Sequence, residues 1–167
     1  MRLLERVVVW VFVVTFTGSA MGAGTPGPAD GFTIHVLAPH QMESGDLGGP
    51  FHHYCKPVKE GAIFQCLLFA SADPAAALVG VEYFVAKDLA RKHVPLIQWN
   101  RHFHDHEVEI AGGRVQVLDV SPEEAKAIAK AASGTDGVIF QLWQEGAAVP
   151  DGKVTFPNAI GHVFRTK

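Results

Sequence analysis

Clustered basic charge is missing from this chain, and a formal net charge of −3 leaves no surface for the phosphate contacts on which nucleic-acid binding depends. A nucleic-acid partner is therefore not expected. The longest unbroken apolar run, Val7 to Val14, falls short of the ~20 residues a spanning helix needs. No Gly-x-Ser-x-Gly elbow, Walker loop, dinucleotide fingerprint or His-Glu-x-x-His helix is present, which removes the usual sequence signs of hydrolases, nucleotide enzymes and zinc peptidases. No internal repeat points to a solenoid. Cysteine is scarce as well: two residues, Cys55 and Cys66, allow at most one disulfide.

The chain does have the material for a core. With 167 residues, 48% hydrophobic and 19% charged, one well-packed domain is expected. Residues 1–23 stand apart, because Arg2 and Arg6 precede the apolar run and small residues follow from Thr17 to Ala23. That is the pattern of a secretory signal peptide. Gly18-Ser19-Ala20 and Ala20-Met21-Gly22 both offer a cleavage site, and no cysteine follows to carry a lipoprotein anchor. The expected product is periplasmic or secreted, with no transmembrane anchor after cleavage and a formal charge near −4. Residues 24–31, rich in Gly and Pro, are expected to be a flexible leader, and residues 32–167 the domain.

Phe32–Leu37 is a strand candidate, followed by a loop from Ala38 to Pro50. Phe51–Lys56 and Ile63–Phe69 flank a turn-like segment and make a hairpin. In an oxidising compartment this hairpin could set Cys55 opposite Cys66, but the sequence does not fix the register, so a disulfide and two buried thiols both stay open. Leu78–Val85 is a further strand, and Lys87–His93 a helix stopped by Pro95. His102–Ile110 alternates like a strand up to the Gly112-Gly113 turn, with Val115–Val120 as its return. Ser121-Pro122-Glu123-Glu124 has an N-cap Ser, Pro at the first helical position and Glu at the third, so a helix should run through Ala132 and stop near Gly134. Val138–Trp143 is a strand, and Val154–Phe156 and His162–Phe164 are short extended pieces. These elements predict an α+β single domain with an antiparallel, barrel-like β-sheet and two or three short helices.

Histidine is the residue in which this chain is rich, with nine. In the alternating segment His102, His104 and His106 share a face, while Asp105, Glu107 and Glu109 take the other. Imidazoles on the inner face of a sheet are ready ligands for a divalent transition metal such as Zn. Glu82 lies among apolar neighbours in strand 78–85, where a carboxylate needs a cation or donors. Of the adjacent His52 and His53, only one can point inward, and the company of Phe51 and Cys55 favours His53. A His/His/His/Glu set is similar to that of the cupins, but there the carboxylate follows the His-x-His pair on the same face; Glu109 comes too early for a regular strand.

Several blocks together carry a family likeness: His52-His53-Tyr54-Cys55, Phe64-Gln65-Cys66, Leu78-Val79-Gly80-Val81-Glu82-Tyr83, and Phe103-His104-Asp105-His106 with Glu109. In this order they resemble the oil body-associated protein family over roughly Phe32 to Phe164. The family is largely a domain of unknown function, and its plant members associate with seed lipid droplets. The chain departs from the plant pattern at Phe103, where Trp is usual, and near Gln141, where His is usual. Its export pattern also points away from a cytosolic oil-body role. The resemblance retains His104 and His106 from the triple and drops His102. The expected metal ligands are thus His53, Glu82, His104 and His106. The alternative is a cell-envelope module that binds a lipid or small hydrophobic ligand in a cleft lined by Tyr83, Phe103 and Trp143.

Overall fold

The strands follow alternation, and their inward residues run in register from one edge of the sheet to the other. The computed structural model describes residues 27–167, so the expected signal peptide lies outside the described residues. The elements are β1 (Ile34–Gln41), β2 (Leu47–Val58), β3 (Ile63–Phe69), β4 (Leu78–Ala86), α1 (Lys87–His93), α2 (Leu96–His102), β5 (Phe103–Asp105), α3 (His106–Ala111), β6 (Gln116–Leu118), α4 (Pro122–Ser133), β7 (Thr135–Gln141) and β8 (Asn158–Ala159). The sheet is antiparallel, in the order β5-β7-β4-β3-β2-β1-β6. β8 pairs with the end of β1, and Thr155 bridges Gln141 at the end of β7, so the C-terminal segment ties the two sides of the curled sheet together. This is the α+β, barrel-like single domain anticipated, with four short helices among the described residues rather than two or three.

The β2–β3 hairpin is longer than its sequence signal, and its register pairs Cys55 with Cys66. The two form a disulfide. Both sulfurs belong to the concave face, where the row continues through Glu82 of β4 to Ile139 of β7. Ile34, Val36 and Ala38 of β1 and Phe51, His53 and Cys55 of β2 complete that face by parity. Phe51, Cys55, Cys66, Leu68, Val79, Phe84 and Ile139 form its packed apolar core.

The histidine-rich segment departs most from expectation. Residues 102–110 are not one strand: α2 ends at His102, β5 spans only Phe103–Asp105, and α3 begins at His106. Asp105 causes the switch, because its side chain accepts from Glu107 N at 2.9 Å and caps α3. The return strand expected at Val115–Val120 shortens to β6, which pairs with β1. The extended piece expected at His162–Phe164 does not form; the paired residues are Asn158 and Ala159.

Two helical layers cover the sheet. On the convex side, α1 and α2 are held by a buried ion cluster at Asp136. Arg91 donates to Asp136 from Nε at 2.9 Å and from Nη2 at 2.8 Å, and Trp99 Nε1 donates at 2.8 Å. Arg91 and Lys87 also pair with Asp105, each at 2.8 Å. Because Asp136 sits opposite Asp105 in the β5–β7 ladder, the cluster fixes the two short strands whose other face carries His104 and Gly137. On the concave side lies α4, which begins and ends as its caps require: Ser121 accepts from Glu124 N at 3.2 Å and Gly134 follows the last turn. None of its residues is fully buried. Its inward stripe of Ala125, Ile128, Ala129 and Ala132 has one large side chain, so the helix covers the sheet without filling the space beneath it.

Candidate metal centre

The space under α4 is a cavity of about 110 Å³. Its wall is aliphatic and aromatic, with Ile34, Val36, Ala38, Phe64, Phe84 and Val117 from the sheet and Ile110, Ile128, Ala129 and Ala132 from the helices. Five polar side chains break it: His40, His53, Glu82, His106 and Glu109.

Glu82 is the hub. It is 2% exposed, and three imidazoles meet its carboxylate: His104 Nε2 and His106 Nε2 each lie 3.2 Å from Oε1, and His53 Nε2 lies 3.3 Å from Oε2. His40 Nε2 is 3.1 Å from His53 Nε2. Each arrives from a different element: His40 from β1, His53 from β2, Glu82 from β4, His104 from β5 and His106 from the first turn of α3. All four residues expected as ligands therefore meet at one carboxylate, and His53 rather than His52 is the inward member of its pair. His52 turns to the convex side, where its Nδ1 lies 2.8 Å from His35 Nε2. His102 is excluded from the cluster; its ring packs on Phe156 at 4.3 Å between centroids.

Two of the imidazoles have fixed tautomers. His53 Nδ1 donates to the Phe51 carbonyl at 3.0 Å. The Thr135 hydroxyl donates to the Ala132 carbonyl, so its oxygen receives the proton of His106 Nδ1 at 2.7 Å. Neutral His53 and His106 would aim Nε2 lone pairs at the lone pairs of Glu82, an arrangement that a metal ion between them, or a proton on Nε2, makes favourable. An acceptor behind the imidazole is the usual support of a metal-ligating histidine. Burial alone pushes the Glu82 carboxyl up, yet the contacts with His104, His106 and His53 outweigh it and hold the group well below the usual carboxylate range. Burial lowers His53, but Glu82 overcomes this and raises it, whereas burial together with His53 keeps His40 well below its ordinary value.

The spacing suits a metal. Zinc bonds of ~2.0–2.1 Å place tetrahedral ligands ~3.3 Å apart, close to the 3.2 Å between Glu82 Oε1 and each of His104 and His106 Nε2. Gly137 supplies the room. A Cβ there would lie 2.6 Å from Glu82 Oε1 and from His106 Nε2, and closer still to His104 Nε2. The missing methyl thus leaves open the point on which three donor atoms converge.

Three features of the centre were not legible as ligands. His40 fell in the loop expected after Leu37, because Pro39 discourages a strand; β1 instead continues past a register shift at Ala38/His40, and the parity of Ile34, Val36 and Ala38 carries His40 inward. Glu109, expected on the solvent side of a strand, lies one helical turn after His106 and is buried on the cavity wall. Burial pushes its carboxyl up, and among the described residues that carboxylate meets no hydrogen-bond donor. Gly137 fell between the helix end expected near Gly134 and the strand expected from Val138, and lies instead inside β7. The cleft expected from Tyr83, Phe103 and Trp143 does not assemble: Tyr83 and Phe103 flank Val138 on the convex face, and Trp143 borders a separate depression with Phe51 and Val79.

A curled antiparallel sheet with a buried histidine–glutamate cluster beneath an alanine-rich helix defines a small α+β domain with a candidate metal centre. Over residues 27–161 the chain matches, and belongs to, the family described as protein of unknown function DUF1264. It is 30% identical over 151 residues to oil body-associated protein 1A of Zea mays, covering 83% of this chain and 60% of that protein. It is also 30% identical over 116 residues to oil body-associated protein 1B of Arabidopsis thaliana, covering 68% of this chain and 46% of that protein. The chain therefore spans only about half to three-fifths of the relatives' length. No solved structure matches it. Among the described residues no helix is long and apolar enough to cross a membrane.

Proposed function

We propose that the protein binds a divalent transition metal such as zinc through Glu82, His104 and His106, with His53 reaching the same carboxylate from its other oxygen. The observation that carries this reading is the convergence of three donor atoms on the point that Gly137 leaves free. Neutral imidazole and carboxylate suit zinc, iron, nickel or copper rather than calcium or magnesium. Glu82, His104 and His106 leave a coordination position for water or a ligand, which is the arrangement of a centre that polarises what binds it. Elemental analysis of tag-free protein tests the proposal. Wild type should retain stoichiometric metal and a His104→Ala/His106→Ala variant should not; equal, substoichiometric content in both would end the idea.

The cavity supports a second, compatible reading, in which the protein holds a small hydrophobic molecule or one end of a lipid chain. An apolar space of ~150 Å³ accommodates benzene, so one of about 110 Å³ takes a group of comparable or slightly smaller size. Such a ligand would lie with its polar end toward Glu82 and Glu109. Native mass spectrometry after mild extraction separates the readings, since a co-purifying lipid favours the second and an ion with an empty cavity favours the first alone. Residues 1–23 direct the protein to the periplasm or exterior under this account, and N-terminal sequencing of secreted material beginning near Met21 or Ala23 would support that.

A further inference from the structure

The donor atoms do not form one set. They separate into Glu82 with His104 and His106, and Glu82 with His40 and His53, each within 4.8 Å of one another. We propose that the centre is dinuclear, with the Glu82 carboxylate bridging two metal ions: Oε1 joins the ion held by His104 and His106, and Oε2 joins a second ion held by His40 and His53. This inference rests on the metal-binding reading above and extends it by a second site and a fifth ligand, His40.

The second half repeats the geometry of the first. His53 Nε2 lies 3.3 Å from Glu82 Oε2 and 3.1 Å from His40 Nε2, against ~3.3 Å for ligands on a tetrahedral zinc. In each half one histidine is anchored through Nδ1, His106 by Thr135 and His53 by the Phe51 carbonyl. In each half the other histidine, His104 or His40, has a buried Nδ1 that meets no partner among the described residues. One ion at the first site leaves His40 and His53 unexplained. Because His53 Nδ1 is committed as a donor, neutral His53 can accept from His40 Nε2–H, but its lone pair then still faces Glu82 Oε2. A second metal ion resolves this by giving both Nε2 atoms and Oε2 a common partner, where a proton on His53 Nε2 would serve Glu82 alone.

Charge and access agree with this arrangement. Two divalent ions beside one carboxylate need further negative charge, and among the described residues Glu109 is the second carboxylate lining the cavity that His40, His53 and Glu82 also line. Each ion has two nitrogens and one oxygen from the protein, so open positions remain for bound solvent. Paired ions ~3.5–4 Å apart are the usual setting for a shared solvent-derived hydroxide and a substrate that binds both metals. The space above them is apolar, so the molecule admitted would be small and hydrophobic with one polar group.

Metal stoichiometry decides the question in tag-free, full-length protein titrated with Co²⁺ and Zn²⁺, with folding checked by circular dichroism. Wild type is expected to bind two ions per chain, His40→Gln to keep the first, and Gly137→Ala to keep the second, each variant losing one ion. A wild type that saturates at one ion overturns the dinuclear centre and leaves the mononuclear reading intact. No ion at all overturns both. Two ions in wild type, with both variants also binding two, would place the second ion elsewhere and overturn the assignment. If a variant fails to fold, the wild-type stoichiometry and the other variant still decide.

Discussion

Replacing Gly137 with alanine probes the centre without touching a ligand. Its backbone is ordinary strand, outside the left-handed region, so alanine brings no backbone strain, and a strand glycine exchanged for alanine recovers ~0.5–1 kcal/mol of backbone entropy. Against that gain, the new methyl would stand 2.6 Å from Glu82 Oε1 and from His106 Nε2. Overpacking of this kind costs ~1–3 kcal/mol, so the metal-free variant should lose ~1 kcal/mol net, or a few degrees in melting temperature. The larger effect should come with metal. Free zinc at ~100 times its dissociation constant stabilises a one-site protein by ~2.7 kcal/mol, and the methyl occupies the place where one ion binds. Melting curves in zinc and in chelator should therefore show the zinc-induced rise in melting temperature cut by about half in Gly137→Ala. Gly134→Ala, at the C-terminus of α4 and against Ala131 O alone, should leave that rise unchanged. An undiminished zinc response in Gly137→Ala would refute the placement of the ion.

Asp136→Asn should destabilise the fold by ~2–3 kcal/mol in urea, below the 3–5 typical of a broken buried pair because Arg91 is partly exposed; a loss under 0.5 would remove the ion cluster's role in fixing β5 against β7. Cys55→Ser/Cys66→Ser opens a loop with a sequence separation of 11, for which chain entropy gives up to ~2.7 kcal/mol. Chemical denaturation under oxidising conditions would show it, and unchanged stability would mean that the cross-strand packing suffices alone. Ala129→Phe should fill the cavity, so that benzene raises the melting temperature of wild type but not of the variant; an equal rise in both would place the apolar ligand elsewhere.

The parts of the fold that carry local signals were legible in the sequence. The Ser121-Pro122 cap marked α4, and the hairpin around residues 57–62 was visible, although its register, and with it the pairing of Cys55 with Cys66, came only with the fold. Glu82 was recognisable because a carboxylate among Val81, Phe84 and Val85 needs a partner. The ends of the site were not legible, for three separate reasons. α2 and α3 are seven and six residues long, too short to show helical periodicity, so the two-residue spacing of His102, His104 and His106 imitated a strand. Asp105 ahead of two acidic residues was the available sign of a helix start. His40 was hidden behind Pro39, whose effect on pairing is absorbed by the register shift in β1. Gly137 fell just before the strand expected from Val138, so the close approach that a glycine inside a strand marks was not visible, and only the folded chain sets three donor atoms against it.

The central claim is a metal at the Glu82 carboxylate. The most direct measurement is an anomalous difference map from crystals of tag-free protein, collected above and below the zinc absorption edge. The account predicts density ~2.0–2.2 Å from Glu82 Oε1, His104 Nε2 and His106 Nε2, lying against Gly137, with a second peak between Glu82 Oε2, His53 and His40. A map without peaks there after zinc soaking, with the imidazoles still in direct contact with Glu82, would contradict it.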